Sequence, residues 1–370
     1  MQLIVSSRDA LVRKLQVVSN IVEKRNTLPV LANVLIRKQG QRVELVSTDV
    51  EMQISTEADM GVGADAVSTT VGARKLLDIL RSLPDGVDVN LKQDARKISV
   101  TGGKSRFSLQ TLPAEDFPLV QEPSEWLVNL SLTQGLLKQL LSNVHFAMAQ
   151  QDLRYYLNGV LLVIESGQVS AVATDGHRMA YANVQTDVQA GLAAQQVIIP
   201  RKTVLELLRL LSDNDDPLSI ELASNQARFS FSEIRLISKL VEGKFPDYQR
   251  VIPKHANQVV LVEREVFLRS LQRASILTSD KFRGVRCIFN QGLMTVSASN
   301  SDQEEASDEI EVSYDGTPID IGFNVTYLQD VLNNLKTEKI RLVLSDGNSS
   351  ALVTKPEGDD FKYVVMPMRI

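Results

Sequence analysis

A unit of roughly 125 residues occurs three times along this chain, and that repeat limits the folds available to it more than any other feature. Apolar-periodic segments at Asp9–Val22, Thr133–Ala147 and Arg264–Leu277 each follow a short strand-like run. In the first, Leu11, Leu15, Val18 and Val22 form a stripe at helical spacing, with Arg13, Asn20 and Lys24 largely opposite. A second helical segment recurs in each unit: ARKLLDILRSL from Ala73, PRKTVLELLRLL from Pro200 and VTYLQDVLNNLK from Val325. Between the two helices, LANVLI from Leu31, LNGVLLV from Leu157 and FRGVRCIF from Phe282 correspond, and so do the turns STD from Ser47, ATD from Ala173 and ASN from Ala298.

The rest of each unit is short β-patterned runs broken by Gly, Asn and Asp, as in KISVTGGKSRFSLQTL from Lys97. Strands that alternate apolar and polar residues cover one face only, so each unit is expected to be α+β, antiparallel sheets with two helices on one face. Pro123-Ser124-Glu125 and Pro253-Lys254-His255 have the composition of linkers. The expected domains are therefore 1–125, 126–252 and 253–370.

Composition narrows the class. With 370 residues, 44% hydrophobic and 23% charged, the chain can bury two to three cores of ordinary domain size. No stretch approaches the ~18 apolar residues of a membrane span and no leader pattern opens the chain, so a cytoplasmic location is expected. The one cysteine, Cys287, sits among apolar residues and is expected in the core. A net charge of −5 runs against adhesive binding to phosphate, but a protein that encircles DNA needs only a mildly basic lining.

Chemistry is hard to find. Gly102-Gly103-Lys104-Ser105 resembles the end of a phosphate-binding loop, yet Ile98 stands where that loop needs glycine, and a strand pattern follows instead of a helix. A hairpin turn is expected there. Asp175 and His177 flank Gly176, and a nuclease or nucleotidyl-transferase reading would rest on them; Asp-Gly is also a common turn dipeptide, and nothing nearby marks a nucleophile or a metal. His145 falls on a helical segment and His255 in a linker, so the three histidines share no ligand spacing. The acidic run Asp302, Glu304, Glu305, Asp308 and Glu309 lacks the alternation of a calcium loop and suits a solvated face or a subunit contact. No catalytic residues, metal or cofactor are expected. Arg74 with Arg81, Lys202 with Arg209, and Arg269 with Arg273 share helix faces away from the leucine stripes, a solvent face or a surface for phosphate.

Nearly the whole chain resembles the bacterial DNA polymerase III beta subunits, the sliding clamps. The resemblance lies in TLPVLANVL from Thr27, ARKLLDILRSLP from Ala73, SRFSLQTLPAEDFP from Ser105, QDLRYYLNGVL from Gln151, ATDGHRMA from Ala173, SKLVEGKFPDYQRVIP from Ser238, KFRGVR from Lys281, GFNVTYLQDVLN from Gly322 and the terminal YVVMPMRI. It implies a non-catalytic processivity factor: a head-to-tail homodimeric ring of six like domains, helices inside and sheets outside. Such a ring slides on double-stranded DNA and tethers the replicative polymerase alpha subunit, the clamp loader delta subunit, and other polymerases and repair proteins. Packing geometry agrees with two chains. Six helices ~9 Å apart around a circle leave a hole of ~8 Å, whereas twelve leave ~24 Å, just wider than a hydrated duplex. A clamp-fold interaction hub that does not encircle DNA is the alternative.

Carried over by matching position, the resemblance implies a pocket for short partner peptides made of Arg154, Tyr156, Leu157, Thr174, Gly176, His177, Arg178, Met179, Pro246, Arg250, Val251, Asn324, Tyr327, Ser350, Val364, Met366, Pro367, Met368 and Arg369. For DNA it implies Arg25, Gln151 and Tyr155, to which the helix-face argument adds Arg74, Lys202, Arg209 and Arg269. For the joint between protomers it implies Lys97, Lys104 and Arg106 facing Asp302, Glu304, Glu305 and Asp308, with Phe107 and Leu109 packed on Ile276 and Leu277.

Overall fold

The computed structural model describes residues 1–22, 28–165, 167–186, 194–254, 256–279 and 283–370. Arg25 and His255, as well as Lys281 and Phe282 of the matched strings, lie outside the described residues.

One order of elements occurs three times. The first module has β1 (Gln2–Ser7), α1 (Arg8–Ser19), β2 (Asn33–Gln39), β3 (Arg42–Thr48), β4 (Met52–Asp59), β5 (Ala66–Gly72), α2 (Ala73–Ser82), β6 (Asp88–Asp94), β7 (Lys97–Gly102) and β8 (Ser105–Leu112). The second has β9 (Val128–Thr133), α3 (Gln134–Ser142), β10 (Gly159–Glu165), β11 (Gln168–Thr174), β12 (Arg178–Gln185), β13 (Gln195–Pro200), α4 (Arg201–Leu210), β14 (Pro217–Leu222), β15 (Gln226–Phe231) and β16 (Ile234–Lys239). The third has β17 (Gln258–Glu263), α5 (Arg264–Ser275), β18 (Gly284–Asn290), β19 (Leu293–Ser299), β20 (Glu305–Glu311), β21 (Ile319–Asn324), α6 (Val325–Asn334), β22 (Lys339–Leu344), β23 (Ala351–Thr354) and β24 (Phe361–Val365). Among the described residues every strand pairing is antiparallel, in line with the expected α+β class.

The helices bury equivalent positions. Leu11, Leu15 and Val18 of α1 correspond to Leu137, Leu141 and Val144 of the second module and to Phe267, Leu271 and Ala274 of α5, all buried. α1 is capped by Ser7, whose Oγ accepts from the Ala10 amide. Arg8 spans to the other helix of its module, donating from Nε to the Leu80 carbonyl at 2.8 Å and from Nη2 to that of Arg81 at 3.0 Å. Arg264 does likewise in the third module, to the carbonyl of Leu332 in the last turn of α6 and to that of Thr337 just beyond the helix, at 2.9 Å each. A guanidinium on helix-end carbonyls satisfies acceptors that have no partner within the helix and opposes the negative end of its dipole.

The helix limits differ from the sequence pattern. α3 stops at Ser142, and His145 belongs to a separate 3-10 turn, His145–Ala147, not to the helix. The His145 Nδ1–H donates to the Ser142 carbonyl at 3.1 Å, so the imidazole closes the helix it was expected to extend. Gly102–Ser105 is the expected hairpin, with Gly103 at φ +56. Cys287 is fully buried, and that burial pushes its thiol up to about 12.

The chain forms two compact units: Met1–Gly135 with Arg209–Leu240, and Leu136–Leu208 with Val241–Ile370. Each contains a strand joint between modules. In the first unit β4 pairs with β16, placing Ile54 opposite Leu236. In the second, β12 pairs with β24, placing Ala180 opposite Tyr363. All four side chains are fully buried. The two joints share one register: Thr48 and Thr174 correspond in the turns before β4 and β12, and six residues on from each come Ile54 and Ala180. Leu236 and Tyr363 in turn each lie across the outer strands from Ile220 and Leu342, which correspond.

Candidate functional site

The second strand joint ends in a cavity of about 230 Å³. Four segments form it: the turn from β11 to β12, the loop before β10, residues 245–251, and the chain leaving β24. Leu157, Met179, Phe245 and Val364 make its apolar floor, continuous with a core cluster that includes Leu161, Val172 and Leu352. Met366 and Val251 stand at the mouth, 46% and 40% exposed. Strand pairing sets the floor, because Met179 lies opposite Val364 in the β12–β24 register and the Met366 amide extends it to the His177 carbonyl at 3.0 Å.

A hydrogen-bonded turn holds one rim. Asp175 Oδ1 accepts from the amides of His177 (2.9 Å) and Arg178 (3.0 Å), and Oδ2 accepts from Arg178 Nε at 3.1 Å. The carboxylate of the Asp175–His177 pair is thus engaged by its own turn, and His177 is exposed. Glycine suits position 176 because its φ is +91, and a Cβ there would also press on the Arg154 guanidinium, 2.9 Å from Nη1. Arg178 is the deep cation, its side chain only 9% exposed. It donates to Asp330 Oδ2 at 2.5 Å and to the Phe146 carbonyl at 2.6 Å, and its guanidinium lies 4.4 Å from the centre of the Tyr327 ring.

The facing rim is the loop before β10. Asn158 pins it, accepting from the Asp152 amide at 3.0 Å and donating to the Asp152 carbonyl at 2.9 Å. Asp152 in turn holds Arg154 by a two-point fork, Nε to Oδ1 at 3.0 Å and Nη2 to Oδ2 at 2.8 Å. Those side-chain bonds, with one from the Arg154 amide, hold the Asp152 carboxyl down at about 2.

Twelve of the expected pocket residues line this cavity: Arg154, Tyr156, Leu157, Thr174, Gly176, His177, Arg178, Met179, Pro246, Val251, Val364 and Met366. The others do not. Tyr327 lines a neighbouring polar depression of about 620 Å³ that shares Arg154, His177 and Arg178 with the cavity. Asn324 caps α6 and accepts from the Thr326 amide; Arg250 pairs with Asp247 at 2.8 Å; Met368 donates its amide to the Gly322 carbonyl at 2.8 Å. Ser350 precedes β23, and Pro367 and Arg369 flank Met368 beyond β24. Phe245 and Tyr248 line the cavity and were not foreseen. They flank Pro246 in the matched string KFPDYQRV, so their aromatic character was the available signal.

Among the residues considered for DNA, Gln151 and Tyr155 are exposed on one loop, Gln151 at φ +55. Arg74 and Arg209 are exposed, yet each uses Nη2 on a main-chain carbonyl, of Val22 and of Val17, at 2.8 Å. Lys202 is exposed on α4, and Arg269 is exposed on α5 with Glu265 at 3.9 Å.

The residues considered for a joint lie on open strand edges. β8 pairs with β7 along its length but with β5 only through Leu112 and Thr111, so one edge of Ser105–Gln110 has no strand partner among the described residues. Lys104 and Arg106 are exposed there, Lys97 is exposed on β7, and Phe107 and Leu109 are half-buried on the other face. β20 is the end strand of the four-stranded sheet β20-β19-β18-β21. It carries Glu305 and Asp308, the latter accepting from Arg273, and Asp302 and Glu304 precede it. Ile276 is 77% exposed after α5, with Leu277 beside it half-buried.

Family models for the DNA polymerase III beta subunit match the chain in order: the N-terminal domain over residues 1–121, the central domain over 131–247 and the C-terminal domain over 249–369. The chain belongs to the DNA polymerase III beta subunit family. It is 45% identical to the beta sliding clamp of Pseudomonas aeruginosa and 40% identical to that of Escherichia coli K12, covering 98% of both chains in each case. A crystal structure of the Pseudomonas aeruginosa sliding clamp bound to griselimycin superimposes with a TM-score of 0.96 at 44% identity, covering 100% of both chains.

Asp152 gives a direct check on the rim. Its carboxyl is depressed from 3.8 to about 2, so its hold on the loop is present above pH 3.8 and is lost as pH falls through about 2. A carboxyl-carbon NMR titration is expected to place Asp152 near about 2, and Arg154→Ala is expected to return it toward 3.8.

Proposed function

We propose that the chain is a processivity factor without chemistry of its own, which closes as a head-to-tail homodimer around double-stranded DNA and tethers replication proteins through the cavity beside β12 and β24. The observation that carries this reading is the repeated strand joint. β4, which ends the run β5-β2-β3-β4 of module one, pairs with β16, which ends the run β9-β14-β15-β16 of module two, and β12 pairs with β24 likewise. Among the described residues the equivalent end strand of module three, β20, and residues 105–110 of the equivalent end strand of module one, β8, are left with an open edge.

Applying the same register to β20 and β8 of a second copy puts Ala306, which pairs with Ala298 as Ile54 pairs with Ser47 and Ala180 with Ala173 and follows a turn one residue longer, opposite Phe107, the counterpart of Leu236. Ser307 then faces Arg106, and Glu305 faces Ser108. Arg106 lies diagonally between Glu305 and Glu309 on one face, while Phe107 and Leu109 turn toward the side of Ile276 and Leu277. Apolar burial holds such a joint, and the Lys97, Lys104 and Arg106 cluster against Asp302, Glu304, Glu305 and Asp308 favours this partner over like-charged alternatives. Two copies supply twelve helices, the number whose circle admits a duplex. The three domains divide near Glu125, between the first two spans that the family models match, and near Ile252, just inside the third span, which begins at residue 249.

In this reading Arg25, Gln151 and Tyr155 contact the DNA backbone, with Arg74, Lys202, Arg209 and Arg269 contributing on the helix faces. Contacts to phosphate carry no sequence information and so permit sliding. The cavity takes a short peptide with two or three bulky apolar side chains, from polymerases, the clamp loader or repair proteins. Its apolar floor and adaptable Met179 and Met366 suit several ligands of one kind. The peripheral predicted residues Arg250, Asn324, Tyr327, Ser350, Pro367, Met368 and Arg369 extend the contact beyond the cavity. No described helix is long and apolar enough to cross a membrane, which is consistent with work on DNA in the cytoplasm.

Two experiments test the proposal. Loaded chains are expected to stay on nicked circular DNA and to run off once it is linearised; equal loss from both forms would leave an interaction hub that does not encircle DNA. A labelled peptide of that apolar character is expected to bind, and Met366→Ala to weaken it by ~1–3 kcal/mol, measured by fluorescence anisotropy. Unchanged affinity would remove the cavity as the site.

A further inference from the structure

The joint inside the first unit has a helix contact as well as paired strands. Arg209, near the end of α4, donates from Nη2 to the carbonyl of Val17, in the last turn of α1, at 2.8 Å. A cation there meets a carbonyl that the helix leaves without an intrahelical partner, at the negative end of the helix dipole.

The frames that relate the strands relate the helices too. The first helix of each module starts at Arg8, Gln134 or Arg264, whose amide donates to Val87, Asp216 or Glu338 at 2.8, 2.9 and 2.9 Å. The second helix follows Gly72, Pro200 or Asn324, which pair with Asn33, Gly159 and Gly284. In these frames Arg81 is the counterpart of Arg209, and Arg273 that of Val17. At the joint between the second and third modules the corresponding residue is Asn333, which lacks a guanidinium's reach.

Arg81 is exposed near the end of α2, and its side chain makes no hydrogen bond or ion pair with another described residue. At the other end of the comparison, the Arg273 guanidinium is engaged by Asp308 of its own module, while its main-chain carbonyl lies in the last turn of α5. We infer that Arg81 of one protomer donates to the last-turn carbonyl of α5 in the other, at Arg273, and so caps that helix across the joint. The assignment rests on the ring reading above and adds a second attachment, on the helix side, to the paired strands. It makes Arg81 a positioning residue for closure, distinct from the arginines assigned to DNA.

The test uses the full chain without DNA. Two fluorescently labelled populations are mixed and subunit exchange is followed by energy transfer, while hydrogen exchange is read at the Ile276 and Leu277 amides, which bond to Arg273 and Ala274 at 3.3 Å. Arg81→Ala is expected to speed exchange about tenfold or more and to lower protection of those two amides, with Arg81→Lys intermediate and the circular dichroism unchanged. A dimeric chain whose exchange and protection are unaltered by Arg81→Ala overturns the inference and leaves the ring intact. A wild-type chain that sediments as a monomer removes the ring reading itself.

Discussion

A β-sheet edge is a row of unpaired main-chain donors and acceptors, and a fold built from sheets must cover it, blunt it or pair it. This chain pairs it by repetition. Each module has two end strands of matching pattern, β4, β12 or β20 on one run and β8, β16 or β24 on the other, and twice within the chain the first kind is joined to the second in the same register. Three modules in a row necessarily leave one strand of each kind over. The β8 edge carries Arg106 with Lys104 just before it, and β20 carries Glu305, Asp308 and Glu309, a difference in sign that favours pairing between the two edges over pairing of β20 with itself. Heterologous joints of this kind form a closed ring or an open fibre according to the angle at each joint.

The cavity follows from the same interaction. Its floor is set where Met179 meets Val364 across the β12–β24 joint, and its rim is the turn that leads into β12. Arg178, the first residue of that strand, is held by Asp175 in its own turn and by Asp330 on α6, so the rim of the cavity is tied to the packing of the third module. Breaking either ion pair would leave a largely buried guanidinium short of partners, a costly state that keeps the site in one arrangement. The strand joint therefore serves twice, continuing the sheet and placing the residues that would receive a partner.

Much of this was legible in the amino-acid order. The leucine stripes of α1 and α5 and the recurrence of ARK, PRK and VTY at the second helices gave the repeat, because helical periodicity is local and repeats reinforce it. Leu157, Met179 and Val364 of the cavity floor were legible through the matched strings from Gln151, from Ala173 and at the C-terminus, whereas Phe245 was not. What was not legible is non-local. Nothing in β4 or β16 alone says that Ile54 faces Leu236, since strand register depends on residues far apart in the chain. The 3-10 turn at His145 was hidden by the apolar period running on to Ala147, and the engagement of Arg74 and Arg209 with carbonyls by the fact that a charged helix face looks alike whether it meets solvent, phosphate or a neighbouring helix end.

The central claim, that a second copy supplies the missing strand in the register already used twice, is tested most directly by crosslinking. With cysteines replacing Ser108 and Glu305, the account places the two main chains directly opposite, within the ~4.4–6.8 Å Cα separation a disulfide spans. Mild oxidation should then give covalent dimers on a denaturing gel. Moving one cysteine from Glu305 to Glu304 turns it to the other face and should abolish the bond. Covalent dimers from the shifted pair alone, or from neither, would contradict the account.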